Sequence, residues 1–245
     1  MADSAERFSS GGKDLDRLLG GGFRRGSMVL LRTDETVEPG DVERLLTPTL
    51  LNFLFQSRGV IAVLPARLSP HQFRAHLTQW VGRRRFDSRV RVVTYVGEDD
   101  EAPYVVHIES AGGRKDSAKT RKTRVNSDMS KMVAAEKAAR GARGRVILEL
   151  VAFEIAEMVA GPETAARMFF HGIKRVQGVG NLCLGIMRNG LESADSLQSL
   201  AETELSLHRN DAGLILTGIR PKFPGHRVET DPRLGEPHLS LSPAV

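Results

Sequence analysis

The 245-residue sequence has a single cysteine, Cys183, so a disulfide-stapled secreted scaffold is excluded. The same scarcity argues against a zinc site built from Cys/His pairs. Aromatic residues make up 5% of the chain against 40% hydrophobic residues, so the core has to be aliphatic. No window of about 18 apolar residues occurs, and the sequence therefore offers no membrane-crossing helix. The opening residues, MADSAERFSSGGKD, lack the apolar stretch of a secretory leader. These absences lead to the expectation of a cytoplasmic protein with no membrane partner.

What is present is enough chain for one sizeable domain and an uneven charge. The net charge is +5. Between Gly113 and Arg145 there are eleven Lys/Arg and three Asp/Glu, so this segment carries +8 and the rest of the chain about −3. Two readings stay open for it: a solvated loop, or an arm that binds polyanions. In the second, Arg114, Lys115, Lys119, Arg121, Lys122, Arg124, Lys131, Lys137, Arg140 and Arg143 contact DNA or RNA. The segment has no Phe, Tyr or Trp for base stacking. It offers phosphate contact alone, which ignores sequence and weakens with salt.

The patterning is that of alternating strands and helices. Ser27–Leu31, Gly59–Leu64, Val90–Val96, Arg145–Val151 and Asn181–Met187 are near-continuous apolar runs, as in strands buried on both faces. Leu15, Leu18 and Leu19 lie on one helical face, stopped by Gly20–Gly22. Ser69-Pro70 caps a helix through Trp80, and 128–139 and Glu163–Gln177 read as further helices. Pro48 argues against an unbroken helix from Asp41, so Thr47 is expected as N-cap with Pro48 in the first turn. Tyr104–Glu109 reads as a short strand, and Glu204–Arg209 with Gly213–Ile219 as an antiparallel pair. The fold class that follows is α/β, a mainly parallel sheet covered by helices, with a C-terminal antiparallel strand pair.

The segment SGGKDLDRLLGGGFRRGSMVLL resembles the entry to the first core strand of RecA-like ATPases of the KaiC type. The matching positions are Ser10, Gly11, Leu15, Asp16, Leu18–Gly22, Gly26 and Ser27. The resemblance continues in order through Ser69–Phe73, Arg145–Leu150, Lys174–Met187 and Leu205–Arg227. It implies a RecA-like domain over 10–230 with a basic insertion at 113–145, a flexible N-terminus at 1–9 and a C-terminal tail at 231–245.

The sequence departs from that family where the chemistry sits. A phosphate-binding loop needs clustered glycine amides, a lysine and a hydroxyl. From Arg32 to Arg58 there is no lysine and one glycine, with Asp34, Glu35, Glu38, Asp41 and Glu43 in their place. Aligned from the helix, the hydroxyl falls near Thr47. The acidic pair that polarises water after the second strand is replaced by Leu64-Pro65-Ala66-Arg67. Glu149 stands where the magnesium-ordering Asp is expected. The resulting expectation is a pseudo-ATPase with no cofactor, leaving weak ATP or magnesium binding open at Thr47 and Glu149. Its role would be that of an assembly or regulatory scaffold, as a homo-oligomer or with an active relative. A nucleic-acid-binding accessory protein using 113–145 is the alternative. Arg220, Lys222 and Arg227 are the candidate subunit-interface residues, by the same resemblance. The seven histidines are scattered, with His71 and His76 five apart, so no metal site is expected. No G-x-S-x-G occurs, so a hydrolase nucleophile elbow is unsupported.

Overall fold

In chain order the elements are β1 (Arg7–Phe8), α1 (Lys13–Leu18), β2 (Phe23–Arg24), β3 (Ser27–Thr33), α2 (Pro39–Phe55), β4 (Gly59–Val63), α3 (Pro70–Val81), α4 (Arg83–Arg89), β5 (Val90–Thr94) and β6 (Val105–His107). Residues 133–140 form α5. There follow β7 (Ile147–Ala152), α6 (Phe153–Ala160), α7 (Pro162–Val179), β8 (Leu182–Arg188) and α8 (Ala194–Leu200). Four strands close the order: β9 (Thr203–Asn210), β10 (Gly213–Arg220), β11 (Phe223–Asp231) and β12 (His238–Pro243). The structure, a computed structural model, describes residues 3–65, 68–94, 102–107, 130–131, 133–141, 146–231 and 237–244.

β1 and β2 pair as a small ribbon, and the other ten strands form one sheet in the order β12-β11-β10-β9-β3-β8-β7-β4-β5-β6. From β9 to β6 every neighbouring pair is parallel, and from β9 to β12 every pair is antiparallel. This is the expected RecA-like α/β architecture. The antiparallel part is larger than the expected pair, because β11 and β12 continue it. The central strands are apolar along their length because helices cover both faces. One buried cluster packs α1, α2, α3 and α4 on one face, through Leu50, Phe53, Phe73, Leu77 and Phe86. The other packs α5, α6, α7 and α8 on the opposite face, through Ala139, Phe153, Val176 and Leu197. Gly185 lets the Phe153 ring lie directly on β8, since a Cβ there would overlap the ring.

The glycine-rich entry motif has a local cause. Asp16 is buried and accepts the Ser10 amide (2.7 Å) and the Ser9 hydroxyl (2.5 Å), which fixes the turn before α1. Gly22 follows with φ +103° at a point where a Cβ would strike the Phe8 carbonyl. Both conditions select glycine.

Three expectations are corrected. Thr47 is no N-cap: α2 begins at Pro39 behind Glu38 and runs through Pro48. An internal proline costs about 3 kcal/mol. Val42, Leu45, Leu46, Leu50, Leu51, Phe53 and Leu54 are all buried on this helix. At about 1.5–3 kcal/mol each, that burial outweighs the proline several-fold. Residues 3–9, expected to be flexible, make specific contacts. The Asp3 carboxylate pairs with Arg58 and accepts the Ser9 amide (2.9 Å), and Phe8 is buried with Arg25 4.1 Å above its ring. The Ser9 amide and Arg58 outweigh the upward push of burial and hold the Asp3 carboxyl below its ordinary value. The segment after residue 230 contains β12, whose alternation His-Leu-Ser-Leu-Ser buries Leu239 and Leu241.

Candidate functional site

All seven parallel strands end at one edge of the sheet, and there the connections β3–α2, β4–α3, β7–α6 and β8–α8 converge. Open α/β sheets bind ligands at this edge. It holds a cleft of about 110 Å³ lined by Thr33, Val37, Pro39, Pro65, Glu154 and Arg188, among others. Sites for small organic ligands are typically about 300–1,000 Å³, and the cleft formed by the described residues is smaller than that.

The amino end of α2 forms one wall. Only Asp34–Glu38 separate β3 from α2, and Val37 in this loop is buried, turned into the cleft. A helix amino end carries exposed amides and a positive partial charge, which suits it to phosphate. Here the chain supplies its own anions. The Glu38 side chain accepts the Asp41 amide, and Asp41 Oδ2 accepts the Glu38 amide (3.2 Å), a reciprocal capping box. Asp41 Oδ1 also accepts Arg209 Nη2 at 2.6 Å, and Thr36 Oγ1 accepts the Arg209 amide at 2.8 Å. The Asp41 hydrogen bond holds the Arg209 guanidinium above its ordinary value. The Asp41 side chain is only 4% exposed. A phosphate at this helix end would therefore meet a buried carboxylate already bonded to the Glu38 amide and to Arg209.

Opposite lies Glu154, at the start of α6. Burial pushes its carboxyl above the ordinary range, opposed by Arg188. Its Oε2 is buried without a hydrogen-bond partner among the described residues. One acid and one arginine in so small a cleft can hold a proton or a water, but they offer no cradle for three phosphates.

The structure places the expected site residues as follows. Thr47 lies in the third turn of α2, about 12 Å along the axis from Pro39. Its hydroxyl donates to the Glu43 carbonyl (2.6 Å) and meets His76 Nε2 (2.9 Å), tying α2 to α3. The neighbouring Glu43 carboxyl is pushed up by burial, with His76 and Arg44 opposing. Glu149 is buried in mid-strand, in register with Ile61 and Cys183, and shares the sheet face of Ile147 and Val151. Thr47 and Glu149 are therefore not brought together. Of the basic segment, Lys131 and Lys137 are described, and Arg140 is paired with Glu136 at 2.8 Å. Arg114, Lys115, Lys119, Arg121, Lys122, Arg124 and Arg143 lie outside the described residues. Arg220 reaches back to the buried Glu204 (3.5 Å) and the Ala201 carbonyl (2.5 Å), and Arg227 pairs with Glu229 (3.3 Å). Lys222 is exposed in the turn between β10 and β11. The sequence offered Asp41 as a helix start that Pro48 argued against, and Glu154, Arg188 and Arg209 were missed. The Glu38-Pro39-x-Asp41 spacing, an acidic variant of the capping box, is the signal that could have secured Asp41. Among the described residues no group of three His, Cys, Asp or Glu is arranged to hold a metal ion, and no helix is long and apolar enough to cross a membrane.

A family model described as GvpD basic region 2 matches residues 1–145. Protein GvpD1 of Halobacterium salinarum (strain NRC-1) is 38% identical over 103 residues, which covers 42% of this chain and 19% of that protein. Protein GvpD2 of the same organism is 35% identical over 98 residues, covering 40% and 20%. The matched stretch is thus about a fifth of the length of these curated relatives. Among solved structures, an uncharacterized protein of Pyrococcus horikoshii, PH0321, in complex with an unknown peptide, superposes with TM-score 0.61 at 16% identity, covering 96% of this chain and 99% of that one. The KaiC-like protein PH0186 from Pyrococcus horikoshii OT3 gives TM-score 0.61 at 12% identity, covering 97% and 100%. The fold is that of the KaiC-like, RecA-like proteins.

Proposed function

From the premise that the chain belongs to the GvpD basic region 2 family and has a KaiC-like fold, we propose that it is a regulatory RecA-like protein that does not hydrolyse ATP and acts as an assembly scaffold in the cytoplasm. One observation carries this reading: the amino end of α2, where such folds hold phosphate, is capped by Glu38 and Asp41 and braced by Arg209. Phosphoryl transfer depends on positioning and charge neutralisation. The chain has neither a lysine nor a glycine cradle at that helix end, and three carboxylates, from Asp34, Glu35 and Glu38, precede it. Glu149 and Thr47 in this reading serve packing and helix contact. The peptide bound to the similar Pyrococcus structure supports a fold of this kind working through protein partners.

The test is sedimentation velocity over a range of protein concentrations, with and without magnesium ATP. A scaffold gives the same distribution of assembled species in both. Assembly that appears only with ATP contradicts the reading. Contacts through Arg220, Lys222 and Arg227 would show as loss of assembly on their joint replacement. A second reading, nucleic-acid binding through 113–145, is favoured by the eight net positive charges gathered there. It predicts DNA or RNA affinity that falls steeply with salt and disappears when 113–145 is deleted.

A further inference from the structure

Two polar groups in the small cleft at the carboxyl edge are left unanswered by the fold. Glu154 enters it from the first turn of α6, directly after β7, and Arg188 from the last residue of β8. β7 and β8 are parallel neighbours, with Ala152 opposite Ile186, so both side chains reach the cleft from adjacent strand ends. Among the described residues no hydrogen bond or ion pair joins the two. The Arg188 guanidinium has no bonded partner among them, and Glu154 Oε2 is buried without one. Burial favours the protonated carboxyl, and a protonated carboxyl is a donor that here lacks an acceptor.

The rest of the lining is apolar but for the Thr33 hydroxyl. Val37, Val42 and Ile186 are buried, and Pro39 and Pro65 present rings without amide donors. The volume of about 110 Å³ is several times the roughly 30 Å³ of one liquid water. It is smaller than the roughly 150 Å³ of an apolar cavity that takes benzene, so a ligand of about four to six non-hydrogen atoms fits. With Glu154 protonated, Arg188 is the one charge on the described lining, and the cleft is then set for a single negative charge at its polar end and a short hydrocarbon beyond it.

We propose that this cleft binds a short aliphatic monocarboxylate. A guanidinium meets a carboxylate through paired N–H···O bonds, so Arg188 supplies the anchor. The Glu154 carboxyl donates its proton's hydrogen bond to the same ligand, and its orphaned oxygen is satisfied. The valines, Ile186 and the prolines take the hydrocarbon end. An inorganic phosphate fits less well, because its remaining oxygens would face apolar walls without donors. An ammonium ligand is opposed by Arg188. The inference goes beyond the regulatory reading above. Displacement of the acid by magnesium ATP would count against that reading and leave this site standing.

The test is an NMR titration of the nitrogen-15-labelled full chain with isobutyrate, isobutyramide, butylammonium and inorganic phosphate. The expected result is saturable shifts with isobutyrate at millimolar concentration and weaker responses to the other three. Arg188→Gln should weaken isobutyrate binding about tenfold or more, the order expected from losing charge-assisted hydrogen bonds. Arg188 is exposed, so an unaltered thermal melt will show that this variant is folded. Lys222→Gln, at the opposite edge of the sheet, should leave binding unchanged. Over the range where the acid itself is ionised, binding to the parent should weaken as pH rises, because Glu154 loses the proton that it donates. Arg188 is the other ionisable group on the described lining, and Asp34, Glu35 and Glu38 stand on the adjoining β3–α2 connection. Glu154→Gln separates their titration from that of Glu154: its amide still donates, so binding should persist with the pH dependence flattened. No saturable isobutyrate binding, an equal response to the amide or the ammonium, binding indifferent to Arg188→Gln, or a pH profile that Glu154→Gln leaves unchanged would each overturn the proposal.

Discussion

Replacing Asp41 by alanine probes the seal on α2 most directly as a stability effect. The change removes the acceptor for the Glu38 amide and the partner of Arg209. Loss of a cap of this kind costs about 0.5–2 kcal/mol. Asp41 is buried and holds both the Glu38 amide and Arg209, which puts the expected loss in the upper part of that range, about 1–2 kcal/mol. The Arg209 contact adds little, since its guanidinium is solvent-exposed. For a chain of this size that corresponds to a fall in Tm of roughly 2–8 °C. Chemical denaturation followed by circular dichroism reads it, with the m-value checked for constancy. Asp41→Asn keeps an oxygen for the Glu38 amide and should retain most of the stability. Arg209→Ala should cost less than Asp41→Ala. An Asp41→Ala variant as stable as the parent, or a larger loss from Asp41→Asn than from Asp41→Ala, would refute the capping argument.

The other predictions concern the remaining packed groups. Glu154 is held above its ordinary value of 4.5, so the folded state binds a proton that the unfolded state has released. Its contribution to stability is greatest below that ordinary value and is lost as pH rises through the raised one. Glu154→Gln should therefore gain stability over the parent at neutral and alkaline pH and lose the gain in acid, read as Tm against pH. Thr47→Val removes the hydroxyl joining Glu43 and His76 and should cost about 1 kcal/mol by denaturant titration. Gly185→Ala forces a Cβ into the Phe153 ring and should cost about 1–3 kcal/mol. Phe153→Leu in the same chain should recover part of that loss.

The parallel sheet was legible because strands buried on both faces write themselves as unbroken apolar runs, as in Ser27–Leu31 and Asn181–Met187. The resemblance at Ser10–Ser27 named the fold, and the Asp16 clamp and Gly22 explain why that motif is spelled as it is. The α2 boundary was misread because a local rule about Pro48 was weighed without the tertiary burial of Leu45 to Leu54, which overrides it. β12 was missed because its alternation is short and becomes a strand only beside β11. α4 and α6 abut their strands without a loop, so no turn signal set them apart. Glu154 and Arg209 reach the amino end of α2 and its cleft from separate elements, α6 and β9, and no sequence spacing joins them.

The central claim is that the carboxyl edge of this sheet does not turn over ATP. Steady-state release of phosphate from magnesium ATP, measured with the purified chain and with Glu149→Ala in parallel, tests it most directly. The account predicts no release above the buffer blank for either protein. Magnesium-dependent turnover that Glu149→Ala abolishes would contradict it.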